Sequence, residues 1–248
     1  MRIIPLSEGT FTVDKTKHFL PFDGIKDNLD ARPAGSLLVE VQPFVVITAK
    51  DVLLLDTGLG FSDENGKMQL HQNLQHAGID PSSVTKVLLS HLHKDHAGGL
   101  GLMNDAGSEE KLSFHNAKDY VQEEELKFAM KKGLPSFVQN KIELLKNSSQ
   151  TSLLQKNKGA IDEYLYYEVT AAHSPFHQVF WIKENDETVF FGGDDAPQLQ
   201  QMKHRFVAKY DYDGKRASLL RQQWWNQGEK EKWTFLFYHD VKNSVWKF

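Results

Sequence analysis

The sequence predicts a layered α/β domain whose loops gather polar side chains at one edge of a sheet. Short apolar runs, typical of buried strands, recur along the chain, and segments with helical periodicity lie between some of them. At least four of these apolar runs end on a histidine or an aspartate. Since strand ends meet along the edge of a sheet, we expect these histidines and aspartates to lie close together.

The first part of the chain is predicted to supply an irregular or weakly stranded opening followed by three strands. The opening, residues 1–35, has apolar side chains between Phe19 and Ile25 that a surface loop does not need, so it is a candidate rim of a functional site, with an ordinary surface loop as the alternative. The strands are expected at 36–42, 44–48 and 52–55, with the spacing of a meander. The third strand ends at Asp56, and an amphipathic helix that stops at Gly78 follows.

The strongest functional signal follows a short buried strand, Val87–Leu89. His91, His93, Asp95 and His96 come directly after it. In an extended segment residues two apart point to the same side, so His91, His93 and Asp95 can converge on one point. A turn at Asp95 would direct the side chains of Asp95 and His96 toward a second position, next to the first. The pattern predicts two metal ions held close together, and a chance cluster of surface histidines is the alternative.

Composition limits how a metal can be held. Cysteine is absent, so nitrogen and oxygen must serve as the ligands, which suits zinc, iron or manganese. We interpret Asp56 as a carboxylate that orients a ligand histidine, because metal-bound imidazoles usually donate their other N–H to an oxygen. A simple turn at Asp56-Thr-Gly58 is the alternative.

The region from 104 to 160 is predicted to be a helical insertion. One helix is expected from Asn116 through Tyr120 to Gly133, and a second helix from Ser136. A polar run at 147–152 is read as the loop that ends it. Because the insertion separates the first histidine cluster from the next candidate ligand, we interpret it as a lid over the site. Packing against the edge of the sheet is the alternative.

The last part of the chain supplies three further candidate ligands. The strand at 164–169 leads to His173, and a hairpin made by 178–183 and 188–191 leads to Asp194. A helix is expected at 217–227, and the run 233–238 is predicted to be the final core strand that leads to His239.

Length and charge narrow the functional classes. The 248 residues are 40% hydrophobic and 25% charged, as in globular proteins, and we expect a single domain over 1–248. The net charge of −4, without a basic block, argues against a nucleic-acid partner. No signal peptide and no membrane-length apolar run are found, so a cytoplasmic location without membrane association is expected. A small molecule is the expected partner, with a homodimer left open.

The segment Ser90-His-Leu-His-Lys-Asp-His-Ala-Gly-Gly99 resembles the H-x-H-x-D-H signature of the metallo-β-lactamase superfamily. The resemblance extends to Asp56-Thr-Gly58, His173, Asp194 and His239, in the family's order, and so covers nearly the whole chain. It implies an α/β fold made as a four-layer αββα sandwich of two similar halves. It also implies that the metals lie in a cleft at the edge of the sheets.

Carried over to this sequence, the resemblance assigns a ligand set and two supporting residues. It implies that the first metal is held by His91, His93 and His173, the second by Asp95, His96 and His239, and that Asp194 bridges them, with Asp56 and His177 in support. Two divalent ions are implied, with zinc first and manganese or iron as alternatives. The sequence departs from many relatives at Thr170-Ala-Ala-His173, where Thr-Pro-Gly-His is usual, and at Phe176, where a small residue is usual.

The implied activity is hydrolysis by a hydroxide that bridges the two metals, with Asp95 orienting the water or receiving its proton. A lactone or carboxylic ester is the leading substrate, because the chain resembles the glyoxalase-II and lactonase branch. A phosphodiester or phosphotriester is the alternative. A mononuclear iron dioxygenase and a non-catalytic binding module also remain open, since the fold alone does not specify function.

Overall fold

Two six-stranded sheets form the centre of the computed structural model, which describes residues 1–103 and 110–248. The first sheet contains, in spatial order, β1 (Arg2–Pro5), β5 (Phe44–Ile47), β6 (Val52–Leu55), β7 (Lys86–Leu88), β10 (Lys118–Gln122) and β11 (Thr151–Leu154). The second sheet contains, in spatial order, β12 (Lys158–Asp162), β13 (Leu165–Val169), β14 (Gln178–Glu184), β15 (Glu187–Phe191), β16 (Thr234–Leu236) and β17 (Val245–Lys247).

Two smaller sheets and six helices complete the described residues. A three-stranded sheet has the order β3 (Phe19–Pro21), β2 (Gly9–Val13) and β4 (Leu37–Val41), and a hairpin joins β8 (Gly101–Met103) to β9 (Glu110–Leu112). The helices are α1 (Gln69–His76), α2 (Lys94–Ala97), α3 (Glu123–Lys132), α4 (Gln139–Asn147), α5 (Leu199–Lys203) and α6 (Gly214–Glu231). None of the helices in these described segments is long and apolar enough to cross a membrane.

Three hydrophobic cores separate four layers. Leu74 of α1 and Ile142 of α4 pack with Val45 on the outer face of the first sheet. Side chains of the two sheets meet in a central core, and a third core joins Trp224 of α6 to Phe190 on the outer face of the second sheet. The order is therefore helix, sheet, sheet, helix, and the predicted αββα sandwich is confirmed.

Burial on both faces explains why the strands are continuous apolar runs. Successive residues of a strand point to opposite faces of the sheet. In β5, Val45 faces the helices and Val46 faces the other sheet, and in β15 Phe190 and Phe191 divide in the same way. Neither face reaches water, so no polar alternation is needed.

Parallel pairing places the functional loops at one edge. The strands β6 and β7 are parallel in the first sheet, as are β15 and β16 in the second. The carboxyl ends of parallel strands lie at the same edge, so the loops after all four strands emerge together. This arrangement positions the predicted site.

The predicted helical insertion is wrong in part. The segment from Tyr120 to Gln122, predicted as helix, belongs to β10, which pairs in parallel with both β7 and β11. Helix α3 starts at Glu123, where Gln122 accepts a hydrogen bond from the backbone of Glu124. The region also contributes β11 and β12 to the two large sheets, so much of it is sheet rather than insertion. Residues 104–109 of the predicted insertion lie outside the described residues.

Other boundaries also differ from the predictions. The opening segment contains three strands, and the first of them, β1, pairs with β5. The strand β4 pairs with β2 rather than with β5, so 36–55 is not a simple meander. The strand at 234–236 is not the last, because β17 follows and pairs with it. The hairpin of β14 and β15 and the helix at 217–227 are confirmed.

Asp119 gives the fold a testable pH dependence. Its side chain is buried in β10, and burial raises the pKa of this carboxyl from its ordinary value of 3.8 to about 7. Between these two pH values the folded protein holds a proton that the unfolded chain has released. Stability therefore falls as pH rises through that window, and the loss is complete above it.

We predict that Asp119→Asn removes this fall, since the amide has no charge to bury. Relative to the parent, the variant should gain about 2–4 kcal/mol in the free energy of unfolding between about pH 4 and pH 8. Urea unfolding across this range measures the difference. Asp186→Asn, at an exposed turn position, is the control. Parallel pH profiles for the parent and Asp119→Asn would contradict the prediction.

Candidate metal centre

The candidate ligands lie on loops at the shared edge of the two large sheets. His91 and His93 follow β7, and Asp95 and His96 lie in α2. His173 follows β13, Asp194 lies in the short turn after β15, and His239 follows β16. The structure brings these seven side chains together in two adjacent groups.

The first group contains His91, His93, His173 and Asp194, whose ligand atoms all lie within 4.8 Å of one another. The Nε2 atom of His91 is 2.8 Å from Nδ1 of His93. Nε2 of His173 is 3.2 Å from the same Nδ1 atom. Three imidazole nitrogens therefore face one small volume.

The second group contains Asp95, His96 and His239. The Nε2 atoms of His96 and His239 are 3.3 Å apart. Oδ2 of Asp95 is 3.4 Å from His239 Nε2 and 3.7 Å from His96 Nε2. The ring of Tyr238 stacks on His96, and its hydroxyl donates a hydrogen bond to the backbone oxygen of Asp95, so both sides of this group are held.

Asp194 lies between the two groups. Its Oδ2 atom is 3.1 Å from Nε2 of His173, in the first group. Its Oδ1 atom is 3.1 Å from Nε2 of His96 and 3.0 Å from Nε2 of His239, in the second group. Each oxygen of one carboxylate therefore faces a different set of imidazoles.

Four of the histidines are held by the ring nitrogen that points away from the centre. These contacts join Nδ1 of His91 to Ser90 Oγ, of His96 to Asp56 Oδ2, of His173 to Asp211 Oδ1 and of His239 to the backbone oxygen of Glu40. An Nδ1–H that donates to these oxygens leaves Nε2 as a lone pair directed at the centre. His93 differs, because its Nδ1 atom faces the group.

The carboxylate of Asp56 contacts His96 and Ser90, and its expected role in orienting a ligand histidine stays a prediction. Its carboxylate accepts hydrogen bonds from the backbone N–H and the hydroxyl of Ser90, both at 2.7 Å, in addition to its contact with His96. The backbone of Asp56 has φ 57°, which is uncommon for a residue other than glycine. Three hydrogen bonds to one buried carboxylate hold the residue in this conformation.

Glycines let the loop after β6 lie directly against the histidine loop. A Cβ atom at Gly99 would overlap the backbone oxygen of Thr57, and one at Gly98 would overlap that of Leu59. The Thr57 backbone N–H donates to the His96 oxygen at 2.7 Å in the same contact. Backbone therefore packs on backbone here, and any side chain would separate Asp56 from His96.

His177 stands beside the first group rather than in it. Its Nε2 atom accepts a hydrogen bond from the backbone N–H of Asp194 at 3.1 Å, and its Nδ1 atom is 3.1 Å from Asp195 Oδ2. These contacts place it where it orients Asp194. Phe176, the unusual residue before it, packs edge-on against Phe128 of α3.

Asp194 and three of the surrounding histidines shift one another's pKa. Burial opposes protonation of His96, His173 and His239, yet Asp194 raises the pKa of all three. Burial also opposes ionisation of Asp194, but the same three histidines hold its pKa well below its ordinary value. Burial and neighbouring histidines keep the pKa of His91 well below its usual range, so this imidazole is neutral.

The residues present fit divalent cations. The donor set contains five imidazole nitrogens and two carboxylates and no sulfur, which suits zinc, manganese or iron. Oδ1 of Asp194 is buried without a hydrogen-bond donor among the described residues. A buried carboxylate oxygen of this kind requires a partner, and a metal ion supplies one.

The sequence did not predict two residues that contact the candidate ligand loops, Asp211 and Glu125. Asp211 contacts His173 Nδ1 at 2.9 Å, and it lies in a segment between α5 and α6 for which the sequence predicts no helix or strand. Glu125 of α3 is fully buried and accepts a hydrogen bond at 3.0 Å from the backbone N–H of Leu92, between two candidate ligands. Nothing in the local sequence separates Glu125 from the other acidic residues at 123–125, so only the tertiary contact identifies it.

A cavity of about 890 Å³ opens onto the two groups. His93, Asp95, His173, Asp194 and His239 all reach its surface. The strands of the small sheet form one wall, including Phe19 of the predicted rim, whereas Ile25 is 95% exposed. Among the described residues of 104–160, only Ser136 lines this cavity, and a lid role for that region stays a prediction.

Comparisons with known proteins agree with this architecture. The family model described as the metallo-beta-lactamase superfamily matches residues 39–196, which is more than half of the chain. No curated protein matches the chain.

Solved structures with the same fold cover almost the whole chain. A probable metal-dependent hydrolase from Staphylococcus aureus is 21% identical, with a TM-score of 0.79 over 99% of this chain and 91% of that chain. AidC, a dizinc quorum-quenching lactonase in complex with a product, is 20% identical, with a TM-score of 0.71 over 98% and 88%. An N-acyl homoserine lactone hydrolase with N-hexanoyl-L-homoserine at its catalytic metal center is 20% identical, with a TM-score of 0.68 over 97% and 93%. At these identities the likeness concerns the fold.

The contact between Asp211 and His173 generates a prediction about metal affinity. Asp211→Ala should lower zinc affinity by about 10- to 100-fold, because the His173 ring loses the oxygen that fixes its orientation. The zinc affinity of Asp211→Asn should lie between those of Asp211→Ala and the parent, since the amide oxygen of asparagine still accepts the hydrogen bond. Competition with a chromophoric chelator measures the affinities. Asp30→Ala, at an exposed position far along the chain, serves as the control, and an Asp211→Ala affinity equal to the parent's would exclude the assigned role.

Proposed function

Because the chain belongs to the metallo-β-lactamase superfamily, and its fold and histidine–aspartate groups are those of a metal-dependent hydrolase, we propose that it uses two divalent cations to cleave a lactone or a carboxylic ester. Zinc is the proposed metal, with manganese and iron as alternatives. In this proposal His91, His93 and His173 hold one cation, Asp95, His96 and His239 hold the other, and Asp194 is shared.

The observation that carries the proposal is the position of Asp194. One of its oxygens faces the first group and the other faces the second, at distances of 3.0–3.1 Å from imidazole nitrogens. Two cations placed close together repel each other, and a shared carboxylate offsets part of that repulsion. The second group is complete, which favours two cations over the single iron of a dioxygenase. The complete set of ligands also favours an enzyme over a binding module.

The reaction follows from the residues around the centre. Two bound divalent cations would lower the pKa of water toward neutrality and polarise the substrate's carbonyl oxygen. The water oxygen bonds to the acyl carbon, and the bond from that carbon to the alcohol oxygen breaks. One proton of the water ends on the alcohol oxygen and the other is released. Asp95, whose carboxylate lies at the cavity surface, is the proposed group that orients the water and receives its proton.

The cavity supports an acyl substrate. Val13, Phe19, Leu37, Leu38 and Val39 form an apolar wall next to the candidate metal centre. Such a wall buries hydrocarbon favourably, so it suits the acyl part of an ester or lactone. The AidC complex, which holds N-hexanoyl-L-homoserine, has the same fold and a product of this class.

Phosphoester hydrolysis is the second candidate. Five basic side chains line the same cavity, and positive charge there would favour a phosphate-bearing substrate. The lactone and ester class comes first, because the apolar wall lies next to the metal centre.

We predict that the zinc-loaded protein binds two metal ions per chain and hydrolyses members of a panel of chromogenic lactones and carboxylic esters faster than phosphoesters. Mass spectrometry of bound metal gives the count, and initial rates on the panel give the substrate class. A count of one, or cleavage of phosphoesters alone, would contradict the proposal.

The ligand role of His93 gives a further prediction. His93→Ala should lower the hydrolysis rate by about 100-fold or more, because the first group loses one of its imidazoles. Circular dichroism should show an unchanged fold, since His93 is a loop residue. His76→Ala, which alters an exposed histidine of α1, should keep the parent rate. An unchanged rate in His93→Ala excludes the assignment.

A further inference from the structure

The cavity above the candidate metal centre carries an excess of positive charge. Its basic side chains are Lys15, Lys17, Lys94, Arg205 and Lys209. The acidic side chains on its surface are Asp14, Asp95 and Asp194, and the last two belong to the candidate metal centre. Asp14 is therefore the one carboxylate among the described lining residues that is left to balance the five cations.

Among the residues the structure describes, none of the five forms an ion pair, although the protein has many such pairs elsewhere, including Lys86 with Asp51. Asp14 uses its carboxylate to accept hydrogen bonds from Thr16. The positive charge of the cavity is thus left for a group that enters from solution.

Two of the lysines are held on the same side of the cavity. The ammonium of Lys94 lies 5.4 Å from the centre of the Phe19 ring, and its backbone N–H donates to the Ser136 oxygen at 2.8 Å. The ammonium of Lys17 donates a hydrogen bond to the hydroxyl of the same Ser136. Lys94 is half-buried and next to His93, whereas Lys17 is exposed. Both lysines therefore contact Ser136, Lys94 through its backbone and Lys17 through its ammonium, and both line the same cavity.

Placing like charges together costs free energy unless an anion binds between them. The neighbouring wall is apolar, and Phe19 belongs both to that wall and to the contact with Lys94. A molecule that satisfies both features has a hydrocarbon part and a negatively charged end.

We propose that the substrate is an amphipathic ester or lactone that carries a carboxylate or phosphate several bonds away from the bond to be cleaved, and that Lys94 and Lys17 select for this anion. The inference rests on the proposed hydrolase function and adds the charge of the substrate to it. Neither lysine takes part in the bond-breaking step, so their effect is on substrate binding.

A matched pair of substrates tests the inference. The mono-para-nitrophenyl ester of adipic acid ends in a carboxylate, and its methyl ester has the same chain with a neutral end. With the zinc-loaded protein, kcat/KM for the carboxylate should exceed that for the methyl ester by about tenfold or more. A third ester with a phosphate at the same end separates a preference for carboxylate from one for phosphate.

Substitution of the lysines identifies the source of the preference. Lys94→Met and Lys17→Met should each lower the ratio of the two kcat/KM values by about tenfold, through a higher KM for the charged ester. Lys17 is exposed, so its variant tests the inference even if Lys94→Met does not fold. Lys183→Met is the matched control, because Lys183 also lies over an aromatic ring, at 5.6 Å from the centre of Tyr166, but outside the cavity. An equal kcat/KM for the two esters, or a ratio unchanged in both cavity variants, overturns the inference.

Binding separates this inference from the proposed function. Calorimetry with the non-chromogenic pair, monomethyl adipate and dimethyl adipate, should show tighter binding of the anion that is lost in Lys94→Met. If no ester is hydrolysed but this difference is found, the hydrolase proposal fails and the charge selection stands. If esters are hydrolysed and the two adipates bind equally, the hydrolase proposal stands and the charge selection fails.

Discussion

The structure depends on one buried carboxylate, that of Asp194, which faces two sets of imidazoles. A negative charge at this depth is costly unless positive charge surrounds it. His96, His173 and His239 converge on it from three loops, each with a nitrogen about 3 Å from one of its oxygens. A divalent cation bound at each of the two groups would also offset the negative charge of Asp194. The charge of Asp194 and the groups that face it therefore have to be considered together.

Hydrogen bonds to the outward-facing ring nitrogens fix the orientation of four candidate ligand histidines. Four imidazoles are fixed from behind by an oxygen, and these oxygens come from a serine, two aspartates and a backbone carbonyl. Fixed rings keep their lone pairs aimed at the centre without a rearrangement when a metal binds. The loop after β6 and the histidine loop lie in backbone contact. The positive φ of Asp56 and the glycines at 98 and 99 allow this close approach.

The candidate ligands and most of the cavity wall come from different parts of the fold. The candidate ligands follow strands of the two large sheets, whose central strands are packed on both faces. The cavity wall comes from the small sheet of β2, β3 and β4 and from the segment between α5 and α6. Changes in these peripheral elements can alter the substrate while the metal centre is kept, as is general for folds that host many functions.

Strand periodicity and ligand spacing are local properties, and from them the sequence predicted the strands that end on candidate ligands, the motif from His91 to His96 and a role for Asp56 beside a candidate ligand. Only the folded chain shows that 118–122 is a strand, since pairing with β7 and β11 outweighs its helical pattern. The contacts of Asp211 with His173, of Glu125 with Leu92 and of Lys17 with Ser136 also depend on the tertiary structure. They join residues 38, 33 and 119 positions apart, and no local pattern records which distant partner a side chain meets.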